Sequence, residues 1–256
     1  MDTNFIRCEL EEHVGFVFID RPEARNALST EMWRALPVVL DTLKKSGARA
    51  IVLGGSGGAF ASGADLTELK ELQTSAQANE FWSAIEDCLN YISDFSLPVV
   101  AMIDGACVGG GCLLATACDL RYASSRASFA VPVARLGIIL DDASIARLVS
   151  IVGDSFARRI LFTGATVSAA EAITHGLIDD LFVSENLRAE VVKIASSIVK
   201  NDPLAVSQIK LSMKRIRQSG CVNNPEQRQL IIDSYLSPEL RKRVGGVLHE
   251  LQQDKL

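Results

Sequence analysis

Several chemistries are excluded by what this sequence lacks. It has three histidines in 256 residues, and His13 and His249 have no companions at ligand or triad spacing, so neither a metal site nor histidine catalysis is predicted. Six cysteines (Cys8, Cys88, Cys107, Cys112, Cys118 and Cys221) include no CxxC pair. A chain long enough to bury a core needs no disulfide staples, and these read as reduced, mostly buried thiols. No apolar run approaches the ~20 residues needed to span a bilayer; residues 105–118, free of charge, contain three consecutive glycines. The N-terminal MDTNFIRCELEE has acidic residues and no apolar core, which excludes a secretory signal and predicts a cytoplasmic location. Nor is there a basic surplus. With 31 acidic against 26 basic residues the net charge is −5, so neither nucleic acid nor a membrane surface is an expected partner.

What is present is a hydrophobic content of 48%, enough for one sizeable domain with a short appendage. Up to residue 135 the pattern alternates: strands over 6–10, 14–20, 48–53, 98–103, 120–123 and 127–130, with helices over 30–45, 75–92 and 110–117. This is a repeated ββα rhythm, and such repeats need neighbours to cover their faces, which implies stacked turns of sheet with helices outside. Beyond residue 141 helices dominate: 143–151, 155–162, 168–175, 187–199 and 203–218, with one strand at 181–183. Ser168 and Glu171 have the spacing of a capping box, and His175 before Gly176 reads as a helix stop with no catalytic role.

Two glycine-rich loops carry the chemical signal. Residues 56–66, SGGAFASGADL, follow one strand, and residues 104–119, DGACVGGGCLLATACD, follow another. Loops of glycine and alanine let backbone N–H groups approach a ligand, and a helix starting at a glycine run offers unpaired N–H groups to a developing anion. One N–H from each loop on the same oxygen would form an oxyanion hole, although close helix packing explains each motif separately.

Five blocks in order resemble the crotonase superfamily, the enoyl-CoA hydratase/isomerase family: RPEARNALS (21–29), FASGADL (60–66), DGACVGGGCLLATACDLRYAS (104–124), FAVPVARLGI (129–138) and LFTGATVSAAEAITHGLID (161–179). The resemblance implies an α/β crotonase-like (ClpP/crotonase) fold: a spiral of ββα turns over residues 1–200 and a helical C-terminal trimerisation region over 201–256. It also implies homotrimers or dimers of trimers. It assigns the oxyanion donors to the N–H groups of Ala64 and Gly110. Coenzyme A, as part of an acyl-CoA substrate and the only cofactor implied, would be contacted around Ala27, Ala64, Asp65 and Leu66. Gly110, Leu113 and Val133 would line the acyl site.

The sequence also departs from that family. Hydratases of the family place glutamates where this chain has Leu113 and Val133, and neither can move a proton or hold water. Asp141 falls where double-bond isomerases of the family keep an acidic base. It is equally suited to cap the helix that follows. The expected activity is enoyl-CoA isomerisation through an enolate; the alternatives are acyl-CoA binding without turnover, or another crotonase reaction such as hydration, thioester hydrolysis or decarboxylation. Phe81 and Trp82 read either as acyl-pocket or as core residues. Arg241, Lys242 and Arg243, and the series Lys210, Lys214, Arg215 and Arg217, read as solvated charge, the first group with a possible reach to a coenzyme A phosphate.

Overall fold

The computed structural model describes residues 5–219 and 225–253; Cys221 lies outside the described residues. The chain divides into two compact units, Met1–Lys210 and Leu211–Leu256. The first opens with an antiparallel hairpin of β1 (Ile6–Glu11) and β2 (Val14–Ile19), turned by Glu12 and His13 at positive φ. Helix α1 (Thr30–Lys45) follows, capped by Ser29, and its buried Met32, Trp33, Leu36, Val39, Leu40 and Leu43 recur at the three- and four-residue spacing of one helix face.

The ββα turns then begin. They comprise β3 (Ala50–Gly55), β4 (Ala59–Ala61), α2 (Leu66–Glu71) and α3 (Ser75–Asp94); then β5 (Val99–Ile103), β6 (Ala106–Val108) and α4 (Gly110–Ala117); then β7 (Leu120–Ser124) and β8 (Ser128–Ala130). In each turn the first strand joins a six-stranded sheet of order β1-β2-β3-β5-β7-β10, and the second joins a four-stranded sheet of order β4-β6-β8-β9. The alternation between sheets is the expected spiral. After β8 come α5 (Asp142–Thr163), β9 (Val167–Ser168), α6 (Ala169–Thr174), β10 (Asp180–Phe182), α7 (Leu187–Lys200) and α8 (Pro203–Ser219). The second unit holds the end of α8 with α9 (Pro225–Leu236) and α10 (Pro238–Gln253).

Strands β3 and β5 are apolar and buried on both faces, as parallel strands covered by helices must be. One face packs against α1, α3 and α4 around Trp33, Leu53, Leu89 and Phe129. Val14, Phe16, Val52 and Val100 form a second cluster with Leu187, Val191 and Ala195 of α7. Among the described residues no helix is long and apolar enough to cross a membrane.

The short elements β4, α2, β6 and β9 were not among the sequence expectations, and three further details differ from them. The helices predicted at 143–151 and 155–162 are the halves of α5, joined at Gly153, whose φ of 74° breaks the helical path. Ser168 does accept from the Glu171 N–H at 3.2 Å, but the Glu171 carboxylate pairs with Arg159 at 2.5 Å and does not return to Ser168. The reciprocal capping box lies elsewhere, between Thr74 and Gln77 at the start of α3. Lys210 is also not a solvated charge: its ammonium is half-buried and donates to Asp119 at 2.6 Å and to the Leu97 carbonyl at 3.0 Å. Cys88, Cys107, Cys112 and Cys118 are buried free thiols, and Cys8 is exposed. Burial pushes the Cys118 thiol up to about 12, so it stays protonated.

Arg121 ties β7 to the segment leading into β10. It is 6% exposed, and its guanidinium donates to the carbonyls of Leu177 (3.0 Å) and Cys118 (2.9 Å) and pairs with Asp179 at 3.5 Å. Removing the guanidinium strands two carbonyls, while Asp179 keeps its bond from the Arg121 backbone N–H at 2.6 Å. Arg121→Met is therefore expected to lower the unfolding free energy by about 3 kcal/mol, read as a reduced urea midpoint at unchanged slope.

Candidate active site

Strands β4 and β6 run parallel and side by side, so the loops that follow them leave the sheet at the same edge. The first loop brings Gly63 against the second. A Cβ on Gly63 would lie 2.9 Å from the Val108 carbonyl and 3.0 Å from the Gly110 nitrogen, and its φ of 105° is a glycine conformation. From the other side, a Cβ on Gly110 would lie 3.3 Å from the Ala64 nitrogen and 3.1 Å from Trp33 Cζ2. Ala64 N and Gly110 N therefore lie close together where the two loops meet, in a space that a side chain at Gly63 or Gly110 would crowd.

Both N–H groups are available. Leu28 N–H donates to the Gly63 carbonyl at 2.8 Å and Asp65 N–H donates to the Leu28 carbonyl at 2.9 Å, a parallel bridge that uses the groups on either side of Ala64. The intervening Ala64 N–H points the opposite way, because successive amides of an extended chain alternate in direction. Gly110 is the first residue of α4, where an N–H has no acceptor within the helix. Gly109 enters that helix with φ 55° and ψ −124°, and its own N–H donates to Ala130 of β8 at 2.8 Å. Two unpaired donors beside a helix N-terminus suit an oxygen that gains negative charge.

The RPEARN segment holds this loop from behind. Asn26 is fully buried with φ 58°; its amide donates to the carbonyls of Ser56 (2.9 Å) and Ala59 (2.7 Å) and its oxygen accepts from Arg21 N–H at 2.9 Å. The Arg21 guanidinium donates to Asp65 Oδ2 at 2.5 Å and to the Ala27 carbonyl at 3.3 Å. Asp65 Oδ1 accepts from Thr67 N–H at 2.8 Å and caps α2, while Glu68 of α2 accepts from the N–H and hydroxyl of Thr30, both at 2.8 Å. The carboxylate of Asp65 is thus committed inside the protein. Of the other residues expected to meet coenzyme A, Ala27 is half-buried and Leu66 is exposed beside the cap. Arg21 and Asn26 had no assigned role in the sequence; the signal available there was the asparagine itself, a residue type that tolerates the left-handed region it occupies here.

Leu113 is buried in α4, and Val133 packs against the same core from the 3-10 turn Pro132–Leu136. Neither brings a polar group to the site. Asp141 caps α5: its Oδ1 accepts from Ser144 N–H at 2.8 Å. Its Oδ2 is shielded from solvent and has no partner in the structure. Next to it Arg147 donates to Asn90 of α3 (3.1 Å) and to the Ser144 hydroxyl (3.2 Å), and burial lowers the guanidinium below its ordinary value against the pull of Asp141, Asp94 and Glu86. Phe81 belongs to the main core, and Trp82, partly buried, packs against it. Phe81 also borders a cavity of about 430 Å³ between α1, α2 and α3. Its wall carries Glu31, Glu68, Glu71 and Glu80 against Arg34, a charge balance unsuited to coenzyme A phosphates.

Burial opposes ionisation of Asp65, but the hydrogen bonds from Arg21 and Thr67 and the Arg21 charge outweigh it, holding the carboxyl below its ordinary value. Because the folded value lies below the unfolded one, the ionised group stabilises the fold above the unfolded carboxyl range. That contribution is lost as pH falls through the folded value. Asp65→Asn should therefore lose stability at neutral pH and converge on the parent in acid, as measured by denaturant unfolding between neutral and acidic pH; two parallel curves would contradict this.

Residues 9–247 match the profile of the family described as enoyl-CoA hydratase/isomerase. The chain is 33% identical over 217 residues to the short-chain-enoyl-CoA hydratase of Clostridium acetobutylicum, covering 84% of this chain and 83% of that protein. It is 34% identical over 226 residues to the peroxisomal Delta(3,5)-Delta(2,4)-dienoyl-CoA isomerase of Arabidopsis thaliana, covering 83% and 81% of the two chains. The crystal structure of an enoyl-CoA hydratase/carnithine racemase from Magnetospirillum magneticum superposes with a TM-score of 0.90 at 27% identity, over 98% of this chain and 94% of that one. With the ββα spiral and paired glycine loops already in place, this chain belongs to the enoyl-CoA hydratase/isomerase family.

Proposed function

We propose that the protein is an enoyl-CoA isomerase that moves a double bond by a proton shift through a thioester enolate. The observation that carries this reading is the juxtaposition of the unpaired Ala64 and Gly110 N–H groups. An acyl-CoA carbonyl seated there would accept both. As a proton leaves the α-carbon, the C–H electrons form the enolate double bond and charge moves onto that oxygen, where each donor is worth roughly 3 kcal/mol.

Asp141 is the base in this reading. One of its oxygens is spent on the helix cap, and the other is free of protein partners. A single carboxylate suffices: it takes the α-proton of a 3-enoyl thioester and returns it to the γ-carbon, leaving a 2-enoyl product with no change in atoms or charge. Leu113 and Val133 favour this over hydration, since they provide no group to activate water. They equally motivate the second reading, an acyl-CoA binder without turnover.

With 3-enoyl-CoA as substrate, Asp141→Asn is expected to reduce kcat at least 100-fold while KM stays near the parent value, because the base acts on chemistry more than on binding. Undiminished turnover would remove Asp141 from the mechanism, and tight binding with no turnover by the parent would favour the binder.

We further infer that the chain works as a homotrimer or a dimer of trimers. The C-terminal unit exposes Leu211, Met213, Ile216, Ile231, Ile232, Tyr235 and Leu236, more apolar surface than a solitary helical unit leaves in water. Sedimentation should return three or six times the chain mass, and Ile232→Glu should lower it; a monomeric parent would contradict the inference.

A further inference from the structure

The RPEARN segment has no part in the proton shift proposed above, yet it makes a dense set of interactions around the oxyanion loop. Ala64 is the point they enclose. Leu28 bonds to the residue on each side of it, Ala27 precedes Leu28, and Arg21 joins Ala27 to Asp65 through one nitrogen, Nη1. The circuit from Arg21 through Ala27, Leu28 and Asp65 is therefore closed, with the Gly63–Ala64 peptide inside it. Asn26 anchors that circuit to the β3–β4 turn through Ser56 and Ala59.

We propose that the Arg21–Asp65 ion pair is a positioning element for the Ala64 donor, so that enolate stabilisation depends on it while ground-state binding does not. This rests on the enolate reading above. Gly63, as a glycine at φ 105°, imposes little torsional preference of its own on the peptide that carries the Ala64 N–H. Orientation must then come from the neighbours, and Asp65 is the adjacent residue with a charged hold. Its side chain and that of Arg21 are 11% and 25% exposed, so the pair is largely withdrawn from solvent competition. Since Arg21 is engaged by both Asp65 and Ala27, it is not a free cation for a coenzyme A phosphate.

The geometric requirement is strict in one direction only. A ground-state carbonyl tolerates a poorly aimed donor, whereas an oxygen bearing charge gains most from a donor already pointing at it. Loss of the pair should therefore lower kcat and leave KM largely unchanged.

Acetoacetyl-CoA tests this independently of turnover, because the enolate of a 3-oxoacyl thioester has its own near-ultraviolet band. The variants are Arg21→Met, Asp65→Asn and the double variant. Asparagine still caps a helix through its one oxygen, so Asp65→Asn retains the start of α2 while removing the charge and the acceptor that hold Arg21, and it carries the test if Arg21→Met does not fold. Each folded variant should bind butyryl-CoA like the parent, lose most of the enolate band with acetoacetyl-CoA, and show kcat roughly 100-fold lower. The double variant should be no worse than either single one, as expected for residues acting as one pair. Parent-like enolate bands in folded Asp65→Asn and Arg21→Met would overturn the role of the pair while leaving the enolate reading intact. Absence of the band in the parent would overturn the enolate reading and this proposal with it.

Discussion

The close backbone approach of Gly63 to Gly110 is the constraint on which the site depends. It brings two chain segments within a distance that a single methyl group at either position would disturb. Everything needed to create that approach lies in the spiral: β4 and β6 must be adjacent and parallel, and the strands must alternate between two sheets. A donor pair built from main chain is rigid because the sheets and α4 are rigid. It carries no side chain that could be titrated or oxidised.

The same economy explains why the rest of the site is divided between apolar and committed polar residues. Leu113 and Val133 pack in or against the apolar core, Asp65 is engaged by Arg21 and by the cap of α2, and among the buried side-chain atoms of the described residues Asp141 Oδ2 is the carboxylate oxygen without a hydrogen-bond partner. A buried polar atom left unsatisfied costs stability and is uncommon in a folded protein, which is why it points to function more strongly than a polar residue with its bonds complete. The cap of α5 occupies one oxygen of Asp141, and the proton shift proposed above would use the other.

The helical repeats and short apolar strands were legible because hydrophobic periodicity is local: Met32 to Leu43 in α1 and the all-buried Val99–Ile103 of β5 read directly. Short elements such as β4, β6 and α2 were not, since three to six residues carry too little pattern. The capping of α6 was half legible. Its hydroxyl acts within four residues of chain, but the Glu171 carboxylate had a choice of partner, and Arg159, 12 residues away, won it. Lys210 was misread for the same reason, its acceptor Asp119 lying 91 residues away in sequence.

Residue order alone carried the resemblance to the family, the ββα rhythm, the glycines at the two loops, and the apolar side chains at Leu113 and Val133. These are statements of residue identity and local spacing, which one dimension can carry. Packing in three dimensions was needed to show that the two loops meet, that the Leu28 bridge uses the groups on either side of the Ala64 N–H, that Arg21 and Asn26 hold the loop, and that Asp141 Oδ2 has no hydrogen-bond partner. Each of those depends on which hydrogen-bond partner lies nearest once distant segments are packed together, and that competition is settled in space.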